Sequence, residues 1–597
     1  MQNFKKLSFL LSRQERVRAM LILVMTLLMA LIEMLGVASI LPFIAVLTNP
    51  EVIDTNIILS TVYQTVKIFG IETKQQFLFV LGIFVFIILI FSISFKILTV
   101  FIQVRFRKMC EYNISMRLLK RYLYQSYGWF LNRNSAVMGK SILSEVSGVV
   151  DKGIKPMMDL ITNSFTTLVL FSLLFFVEPK LTFISIITIG IFYALVYTFN
   201  LNLLKKIGKE VFESNEDRFK ISTEAFGAIK EMKIGSLEEI YIQQFSKPSK
   251  NMSLNSALYT VLSEVPRFAL EAVTFGGMLL IILFFMSTTG DITKVLPIIV
   301  LYAFAGYRLM PAMQKIYISF TSLRYVGPAL NSLYGDLKNL KQEIQKEYKN
   351  SLKLNKNISL KNIYYNYPNS SKTALKNINL NIPANKTVGL VGATGSGKTT
   401  TVDIILGLLE AQKGTLEVDG KVIDISNKRA WQISIGYVPQ QIFLSDNTIS
   451  ANIAFGIDIN DIDQEAIERA AKIANLHEFI INELPLKYQT TIGERGVRLS
   501  GGQRQRIGIA RALYHKPKIL VLDEATSALD SLTEKAVMKD LHNSEKNITK
   551  ILVAHRLSTV RDCDIIYLFD KGELKTQGTF EQLIKISDDF RESAQNH

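Results

Sequence analysis

Long apolar runs alternate with polar connections through the first half of the chain. A helix of about 20 mainly apolar residues is long enough to cross the roughly 30 Å hydrocarbon core of a bilayer. After Phe320 no run of that length follows. The pattern therefore predicts six membrane-spanning helices, at residues 19–47, 77–104, 157–177, 181–203, 268–287 and 293–319.

The second half of the chain has a different pattern. Residues 331–350 are polar, charged and helical in period, which is typical of a linker. From residue 357 onward, short β-rich runs such as KTVGLVG and KILVLD alternate with helical runs, and this alternation predicts an α/β domain. We therefore predict a transmembrane domain over 1–328, a linker over 329–356 and a soluble α/β domain over 357–597.

The composition agrees with a membrane protein. Of the 597 residues, 49% are hydrophobic and 20% are charged, and Lys and Arg outnumber Asp and Glu by 68 to 52. The basic residues concentrate before the first apolar run, in 105–156 and in 204–250. By the positive-inside rule, both termini and both long connections face the cytoplasm. Topology thus explains the basic excess, so we expect no nucleic-acid partner, and two cysteines predict no disulfide framework.

Residues 392–399, GATGSGKT, fit the phosphate-binding P-loop in full. They follow the strand-like run KTVGLV and precede the helix-like run TTVDIILGLL, which is the context that this motif requires. The glycines let backbone N–H groups turn around a phosphate, Lys398 supplies a positive charge, and the Thr399 hydroxyl can ligate Mg²⁺. The predicted phosphate-binding residues are Gly392, Ala393, Thr394, Gly395, Ser396, Gly397, Lys398 and Thr399.

Acidic residues end a second apolar run of the soluble domain, ILVLDE. Asp523 can hold Mg²⁺ through water, and Glu524 can orient and polarise an attacking water. His555 ends another apolar run, ILVAH, and is predicted to reach the γ-phosphate from the same sheet edge. Together with the P-loop, these residues predict an ATPase that uses ATP and Mg²⁺, with Glu524 and His555 as catalytic residues.

The order of the P-loop, GYVPQ, LSGGQ, ILVLDE, SALD and AHR resembles the ATP-binding-cassette (ABC) family over nearly all of 357–590. This resemblance implies a membrane all-α domain fused to a cytoplasmic α/β nucleotide-binding domain. It also implies that Tyr367 stacks on adenine and that Gln440 contacts Mg²⁺ beside Thr399 and Asp523. The other nucleotide contacts that it implies are Thr400, Ser500, Gly501, Gly502, Gln503 and Asp530.

Six spans before one cassette resemble an exporter half-transporter of the type IV arrangement. In this family the P-loop and the LSGGQ signature lie far apart within one cassette. The resemblance therefore implies two chains arranged head to tail, with two ATP molecules at their interface. A homodimer is the expectation, and a different partner chain stays open. Short helices near 124–135 and 226–238 are expected to couple ATP-driven closure to the spans.

Ionisable residues inside the predicted spans bear on the substrate, because each costs roughly 2.5–3.5 kcal/mol at the centre of a bilayer by insertion scales. These residues are Glu33, Lys96, Arg267, Glu271 and Arg308. We expect Lys96, Arg267 and Arg308 near the inner-leaflet headgroups, where they favour an anionic headgroup over a neutral drug. Simple snorkelling of these side chains toward the interface stays open as the alternative.

A second resemblance covers the membrane half. The stretches IEMLGVASILPFIAVL, EVPRFALEA and LYAFAGYRLMPAMQKI look like those of the PglK-type flippases of lipid-linked oligosaccharides. This resemblance implies ATP-driven translocation of a polyprenyl-diphosphate glycan across a bacterial cytoplasmic membrane, with membrane lipids as partners. The alternative is an exporter of a lipid A precursor, phospholipid, drug or peptide. A nucleotide-gated channel or regulatory ATPase is disfavoured, because Glu524 and the signature are intact.

Overall fold

The computed structural model describes residues 2–595 except 69, 72, 290, 291, 341–350, 369, 371, 545, 546 and 555. Within this range, side chains are not described at 273, 274, 278, 280–282, 284–298, 544, 589, 593 and 595. The chain forms two compact units. The first consists of Met1–Gln125 and Arg133–Glu343, and the second of Ser126–Asn132 and Ile344–His597.

Helices make up the regular structure of residues 2–340. They are α1 (Gln2–Leu10), α2 (Arg13–Ala38), α3 (Ile40–Thr48), α4 (Val52–Thr55), α5 (Ile57–Lys67), α6 (Lys74–Leu123), α7 (Tyr127–Phe130), α8 (Ser135–Lys140), α9 (Val146–Val149), α10 (Lys155–Val177), α11 (Pro179–Gly227), α12 (Ile229–Gly235), α13 (Glu238–Thr289), α14 (Ile292–Tyr325) and α15 (Gly327–Asn339). Two π-helical segments, Ser141–Glu145 and Val150–Ile154, flank α9. All of these except α7 belong to the first unit.

Four helical segments of the described residues are long and apolar enough to cross a membrane. They are Arg13–Thr48, Lys74–Leu123, Ser135–Val177 and Pro179–Gly227, and they contain the first four predicted spans. The fifth and sixth predicted spans, 268–287 and 293–319, fall in α13 and α14, where many side chains lie outside the described residues. The N-terminal half is thus a helical membrane domain, as predicted.

Polar caps define where the long membrane helices begin. Ser12 caps α2 in a reciprocal pair with Glu15, and Thr73 caps α6 in the same way with Gln76. Such pairs satisfy N–H groups that the first turn of a helix leaves without partners. At about 1.5 Å per residue, the 50 residues of α6 extend far beyond a bilayer core of roughly 30 Å. The long helices therefore continue outside the membrane.

Part of the predicted linker, 329–356, is a packed helix of the first unit. Helix α15 buries Leu330, Leu333 and Leu337, which lie at helical spacing. Near its end, Tyr122 of α6 donates a hydrogen bond to Asp336 at 2.6 Å, and Arg121 donates to the Leu337 carbonyl. The helical period in the sequence here therefore reflects packing against other helices of the first unit, α6 among them.

The second unit is an α/β domain. Its strands are β1 (Asn357–Tyr365), β2 (Leu375–Pro383), β3 (Thr387–Gly392), β4 (Lys413–Val418), β5 (Lys421–Val422), β6 (Ile435–Val438), β7 (Ile519–Asp523), β8 (Thr549–Val553), β9 (Ile565–Asp570) and β10 (Glu573–Gly578). Its helices after α7 are α16 (Lys398–Ile405), α17 (Lys428–Ile433), α18 (Ile449–Ile453), α19 (Gln464–Ile473), α20 (His477–Glu483), α21 (Gly501–Tyr514), α22 (Ser531–Ser544), α23 (Phe580–Ile586) and α24 (Asp588–Gln595).

Two sheets organise this unit. A four-stranded antiparallel sheet has the order β2-β1-β4-β5, and a six-stranded sheet has the order β10-β9-β3-β8-β7-β6. Strands β9, β3, β8, β7 and β6 run parallel, and β7 and β8 are buried at every position, as in parallel sheets covered on both faces. The carboxyl ends of β3, β8, β7 and β6 therefore meet at one edge, which carries the predicted nucleotide residues.

Candidate functional site

The P-loop connects β3 to α16 in a conformation that needs glycine. Gly397 has a φ of +104°, and a Cβ there would lie 2.7 Å from Leu375 Cδ2. Gly395 has a φ of +79°, and a Cβ there would meet no atom within 4 Å. The loop is therefore packed tightly on its inner side and open at Gly395, where a phosphate can approach the backbone.

Two polar side chains of the P-loop fit an incoming phosphate. The Ser396 hydroxyl is buried and has no hydrogen-bond partner among the described residues. Lys398 is also buried, and its Nζ donates to the carbonyls of Gly392 at 2.7 Å and Ala393 at 3.0 Å. Burial lowers the pKa of Lys398, against the attraction of Glu524 and Asp523. A nucleotide phosphate would give both side chains a charged acceptor, so these residues fit ATP.

The predicted adenine platform lies beside the same helix. The Tyr367 hydroxyl and the Thr400 hydroxyl are 3.1 Å apart, and the Tyr367 ring meets Tyr365 edge-on at 5.2 Å between centroids. Thr399, the predicted Mg²⁺ ligand, is exposed at the start of α16. The structure therefore brings Tyr367 and Thr400 together beside the P-loop helix.

The carboxylates at the end of β7 lie at the same edge of the sheet. Asp523 is buried, and Glu524 has a φ of +51°, a left-handed conformation that is rare for residues other than glycine. The Glu524 N–H donates to the Val553 carbonyl at 3.0 Å, and its Oε2 accepts from Gln440 Nε2 at 2.7 Å. Gln440 and Glu524 are 84 residues apart in the sequence and meet at this edge, a pairing that the sequence patterns did not predict. The backbone of Glu524 is strained there.

His555, the second predicted catalytic residue, lies outside the described residues. Its assignment therefore stays a prediction.

The LSGGQ signature forms the N-terminus of α21. Ser500 caps this helix: its Oγ accepts from the Gln503 N–H at 3.2 Å, and Gln503 Oε1 accepts from the Ser500 N–H at 2.8 Å. A Cβ on Gly501 would lie 3.3 Å from Ala528 Cβ, and one on Gly502 would lie 3.3 Å from the Ala528 carbonyl oxygen. The glycines thus also allow α21 to pack closely on the loop before α22, which the sequence did not reveal.

Gln505 is a residue of the signature helix to which the sequence patterns assigned no role. Its Nε2 donates to Ser527 Oγ at 3.1 Å, and its Oε1 accepts from the Ala528 N–H at 2.9 Å. Asp530, which lies two residues after Ala528, caps α22 by accepting hydrogen bonds from the N–H groups of Leu532 and Thr533. A hydrogen bond from Thr533 holds the pKa of Asp530 below its usual range. The loop from 527 to 530 is therefore fastened to both helices.

The predicted residues form two groups in this unit. One group surrounds the P-loop and the sheet edge and consists of Tyr367, Thr400, Lys398, Gln440 and Glu524. The second group consists of the signature residues, which form hydrogen bonds with one another and with the loop before α22, all within residues 500–533.

Helix α7, in the predicted coupling segment near 124–135, belongs to the second unit. A Cβ on Gly128 would lie 3.9 Å from Leu409 Cδ2. Burial raises the pKa of Tyr127, and the nearby Asp403 and Tyr367 add to the effect. The segment near 226–238 contains α12, and Phe226 and Ile234 beside and within it are exposed.

The basic residues predicted to bind substrate are each paired with a carboxylate. Lys96 Nζ lies 2.7 Å and Arg308 Nη1 lies 3.0 Å from the same oxygen of Glu33. Arg267 Nε lies 2.8 Å from Glu271 Oε1, one turn further along α13. The sequence showed these five ionisable residues but not their pairing. Lys96 and Arg308 therefore meet at one point, and the structure gives Arg267 a separate partner.

Fold and site together define a multi-pass membrane protein with a P-loop ATPase unit. A family model described as ABC transporter transmembrane region matches residues 19–311, and one described as ABC transporter matches 375–527. The heterocyst differentiation ATP-binding protein HepA of Nostoc sp. is 30% identical over 495 residues, covering 80% of this chain and 78% of HepA. The chain belongs to the ABC transporter family. It is an exporter that binds ATP with Mg²⁺ and couples ATP hydrolysis to transport, as predicted.

Other relatives match over part of their length. The leukotoxin export ATP-binding protein LtxB of Aggregatibacter actinomycetemcomitans is 31% identical over 70% of this chain, and the chain spans 58% of it. The ATP-dependent lipid A-core flippase of Saccharophagus degradans is 44% identical over 38% of this chain, and the chain spans 39% of it. The chain thus spans less than two thirds of both.

A solved structure supports the exporter fold over the whole chain. The structure of a bacterial Atm1-family ABC exporter with ATP bound has a TM-score of 0.79 and 19% identity, and the match covers 98% of both chains. The predicted fold class is therefore confirmed. Half-transporters of this family typically dimerise.

Proposed function

We propose that this chain is a flippase that moves a lipid-linked, polyprenyl-diphosphate oligosaccharide across the cytoplasmic membrane of a bacterium. The observation that carries the proposal is the cluster of Lys96, Glu33 and Arg308 in the membrane unit. Two cations and one carboxylate leave a net charge of +1 there, which favours an anionic headgroup. The resemblance of EVPRFALEA and LYAFAGYRLMPAMQKI to PglK-type flippases supports the diphosphate lipid.

We further propose that two copies of the chain form a homodimer with two ATP sites. In each site, Lys398 and the P-loop backbone of one copy bind the phosphates, and Ser500 and Gly501 of the other copy approach the γ-phosphate. The N-terminus of α21 carries the positive end of the helix dipole, which favours a phosphate there. Thr399, Gln440 and Asp523 hold Mg²⁺, and Glu524 polarises the attacking water.

The second candidate function is export of another amphipath. Relatives of this chain include a lipid A-core flippase and a leukotoxin export protein, so the cassette itself does not select the substrate. Substrate choice then rests on the membrane unit, where the excess of Lys96 and Arg308 over Glu33 distinguishes an anion-binding site from an apolar drug site.

Reconstitution tests the proposal. The purified chain is placed in proteoliposomes with a short-chain, labelled diphosphate-lipid glycan, and ATP-dependent loss of accessibility is followed. Wild type is expected to translocate the glycan, and Glu524→Gln is expected to stop this movement. Translocation by Glu524→Gln at the wild-type rate would contradict the ATP-driven mechanism.

Basic-residue variants test the substrate site in the same vesicles. Arg267→Ala with Arg308→Ala is expected to reduce translocation strongly, whereas Arg324→Ala, an exposed arginine of α14, is the matched control. Full translocation by the double variant refutes diphosphate binding at these residues. ATPase stimulation by lipid A or drugs, without any by diphosphate lipids, favours the second candidate.

A further inference from the structure

One carboxylate joins three helices of the membrane unit. Oε1 of Glu33, on α2, lies 2.7 Å from Nζ of Lys96 on α6 and 3.0 Å from Nη1 of Arg308 on α14. The partners are 63 and 275 residues away along the chain. Because two cations share one carboxylate, the cluster keeps one positive charge that is not balanced by Glu33.

The three side chains differ in their exposure. The side chain of Glu33 is 5% exposed, whereas those of Lys96 and Arg308 are 43% and 21% exposed. Beside Glu33, α2 and α6 approach closely, since a Cβ on Gly36 would lie 3.4 Å from Leu89 Cδ2. An anion that approaches from the open side therefore meets the two cations before it meets Glu33.

We propose that Glu33 is an internal counterion that competes with the anionic headgroup of the transported lipid for Lys96 and Arg308. The inference rests on the proposed function, because it takes a phosphate-bearing lipid as the substrate. When the lipid binds, its phosphate oxygens accept the hydrogen bonds of both cations. When it leaves, the Glu33 carboxylate accepts them again, so the cations do not remain unpaired.

Such a competitor serves transport because a translocated lipid has to be released as well as bound. Without the carboxylate, two adjacent cations hold a phosphate more tightly, and the attraction of opposite charges grows wherever the bound lipid excludes water. Tight binding of the transported state slows its release. Glu33 lowers this affinity and keeps both cations in place, which makes it a specificity-determining residue for charge.

A purely structural role for Glu33 predicts the opposite change in lipid binding when Glu33 is substituted. If Glu33 only held α2, α6 and α14 together, its loss would weaken the site and reduce lipid binding. If Glu33 competes with the lipid, its loss strengthens binding of an anionic lipid and leaves a neutral lipid unaffected. The sign of the change in half-maximal lipid concentration therefore separates the two roles.

The test measures ATPase stimulation of the full chain in liposomes by farnesyl diphosphate, with farnesol as the neutral probe. For Glu33→Gln we expect the half-maximal concentration of farnesyl diphosphate to fall about tenfold. The maximal ATPase rate is expected to fall as well, because release of the lipid is slower. Glu111→Gln removes a carboxylate from Lys108, another lysine of α6, and is the matched control. An unchanged or higher half-maximal concentration for Glu33→Gln overturns the inference.

A charge cycle keeps the test decisive if one variant folds poorly. Lys96→Met leaves one cation and one carboxylate, and we expect it to raise the half-maximal concentration. Lys96→Met combined with Glu33→Gln leaves one cation alone and is expected to return toward wild type. Failure of the double variant to recover contradicts the competition. Absence of stimulation by farnesyl diphosphate in the wild type instead overturns the proposed function itself.

Discussion

Replacing Gln505 with alanine tests whether the signature helix positions the loop before α22. In the structure this side chain is 5% exposed and makes two hydrogen bonds, to Ser527 Oγ at 3.1 Å and from the Ala528 N–H at 2.9 Å. Each bond contributes about 0.5–1.5 kcal/mol net, so their loss costs about 1–3 kcal/mol. If the transition state needs this loop in place, kcat falls by about 5- to 150-fold.

The assay separates positioning from nucleotide binding. Steady-state phosphate release from MgATP by the full chain in liposomes gives kcat, and displacement of a fluorescent nucleotide gives the Kd for ATP. We expect Gln505→Ala to lower kcat and to leave the Kd within about twofold, because the P-loop contacts are intact. Gln505→Glu keeps an acceptor for the Ala528 N–H and is expected to recover part of the rate.

Gln464→Ala is the matched control, since Gln464 is exposed and its side chain donates to Glu468, one turn along the same surface helix. The reasoning is refuted if Gln505→Ala hydrolyses ATP as fast as this control. A fall in thermal stability without a fall in kcat would likewise show that Gln505 stabilises the fold and does not position the loop for catalysis.

The remaining predictions concern stability. Lys140 is 1% exposed between the carboxylates of Glu145 and Glu216, so Lys140→Ala is expected to cost about 3–5 kcal/mol, seen as a lower unfolding midpoint in detergent. Trp431→Phe removes a buried bond from Nε1 to a backbone carbonyl and is expected to cost about 1–3 kcal/mol, measured by thermal unfolding of the full chain. Burial raises the pKa of Asp403 to about 6. Its charged form is therefore disfavoured in the folded state, stability rises as pH falls through that value, and Asp403→Asn is expected to flatten the pH profile of the midpoint.

Much of the nucleotide site was predictable because its chemistry depends on local sequence. A P-loop needs glycine where the backbone turns, and Gly395 and Gly397 do have positive φ. Asp523 ends a strand in which every residue is buried, as its apolar run indicated. Parallel strands end at one edge, and there Gln440 donates a hydrogen bond to Glu524, although no sequence pattern paired these two residues.

The contacts that sequence patterns missed depend on how elements pack. Lys96 and Arg308 were expected to bind an anion, but their shared partner, Glu33, could not be chosen without knowing how α2, α6 and α14 cross. Similarly, the periodicity around residue 331 predicted a helix and gave no partner for it, whereas Asp336 is held by Tyr122. In both cases the pairing spans more than 60 residues, a range over which hydrophobic period carries no information.

The signature glycines illustrate how one short motif is constrained from two sides. Ser500 and its small neighbours are proposed to approach the partner's ATP, and this alone would favour glycine. The structure adds that Gly501 and Gly502 already lie against Ala528 of the same chain. Loss of activity on substituting either glycine therefore does not by itself demonstrate nucleotide contact. Gln505 separates the two constraints, because among the described residues its side-chain hydrogen bonds go to the loop. Ser500, at the helix N-terminus, is the residue at which a direct effect on nucleotide binding is expected.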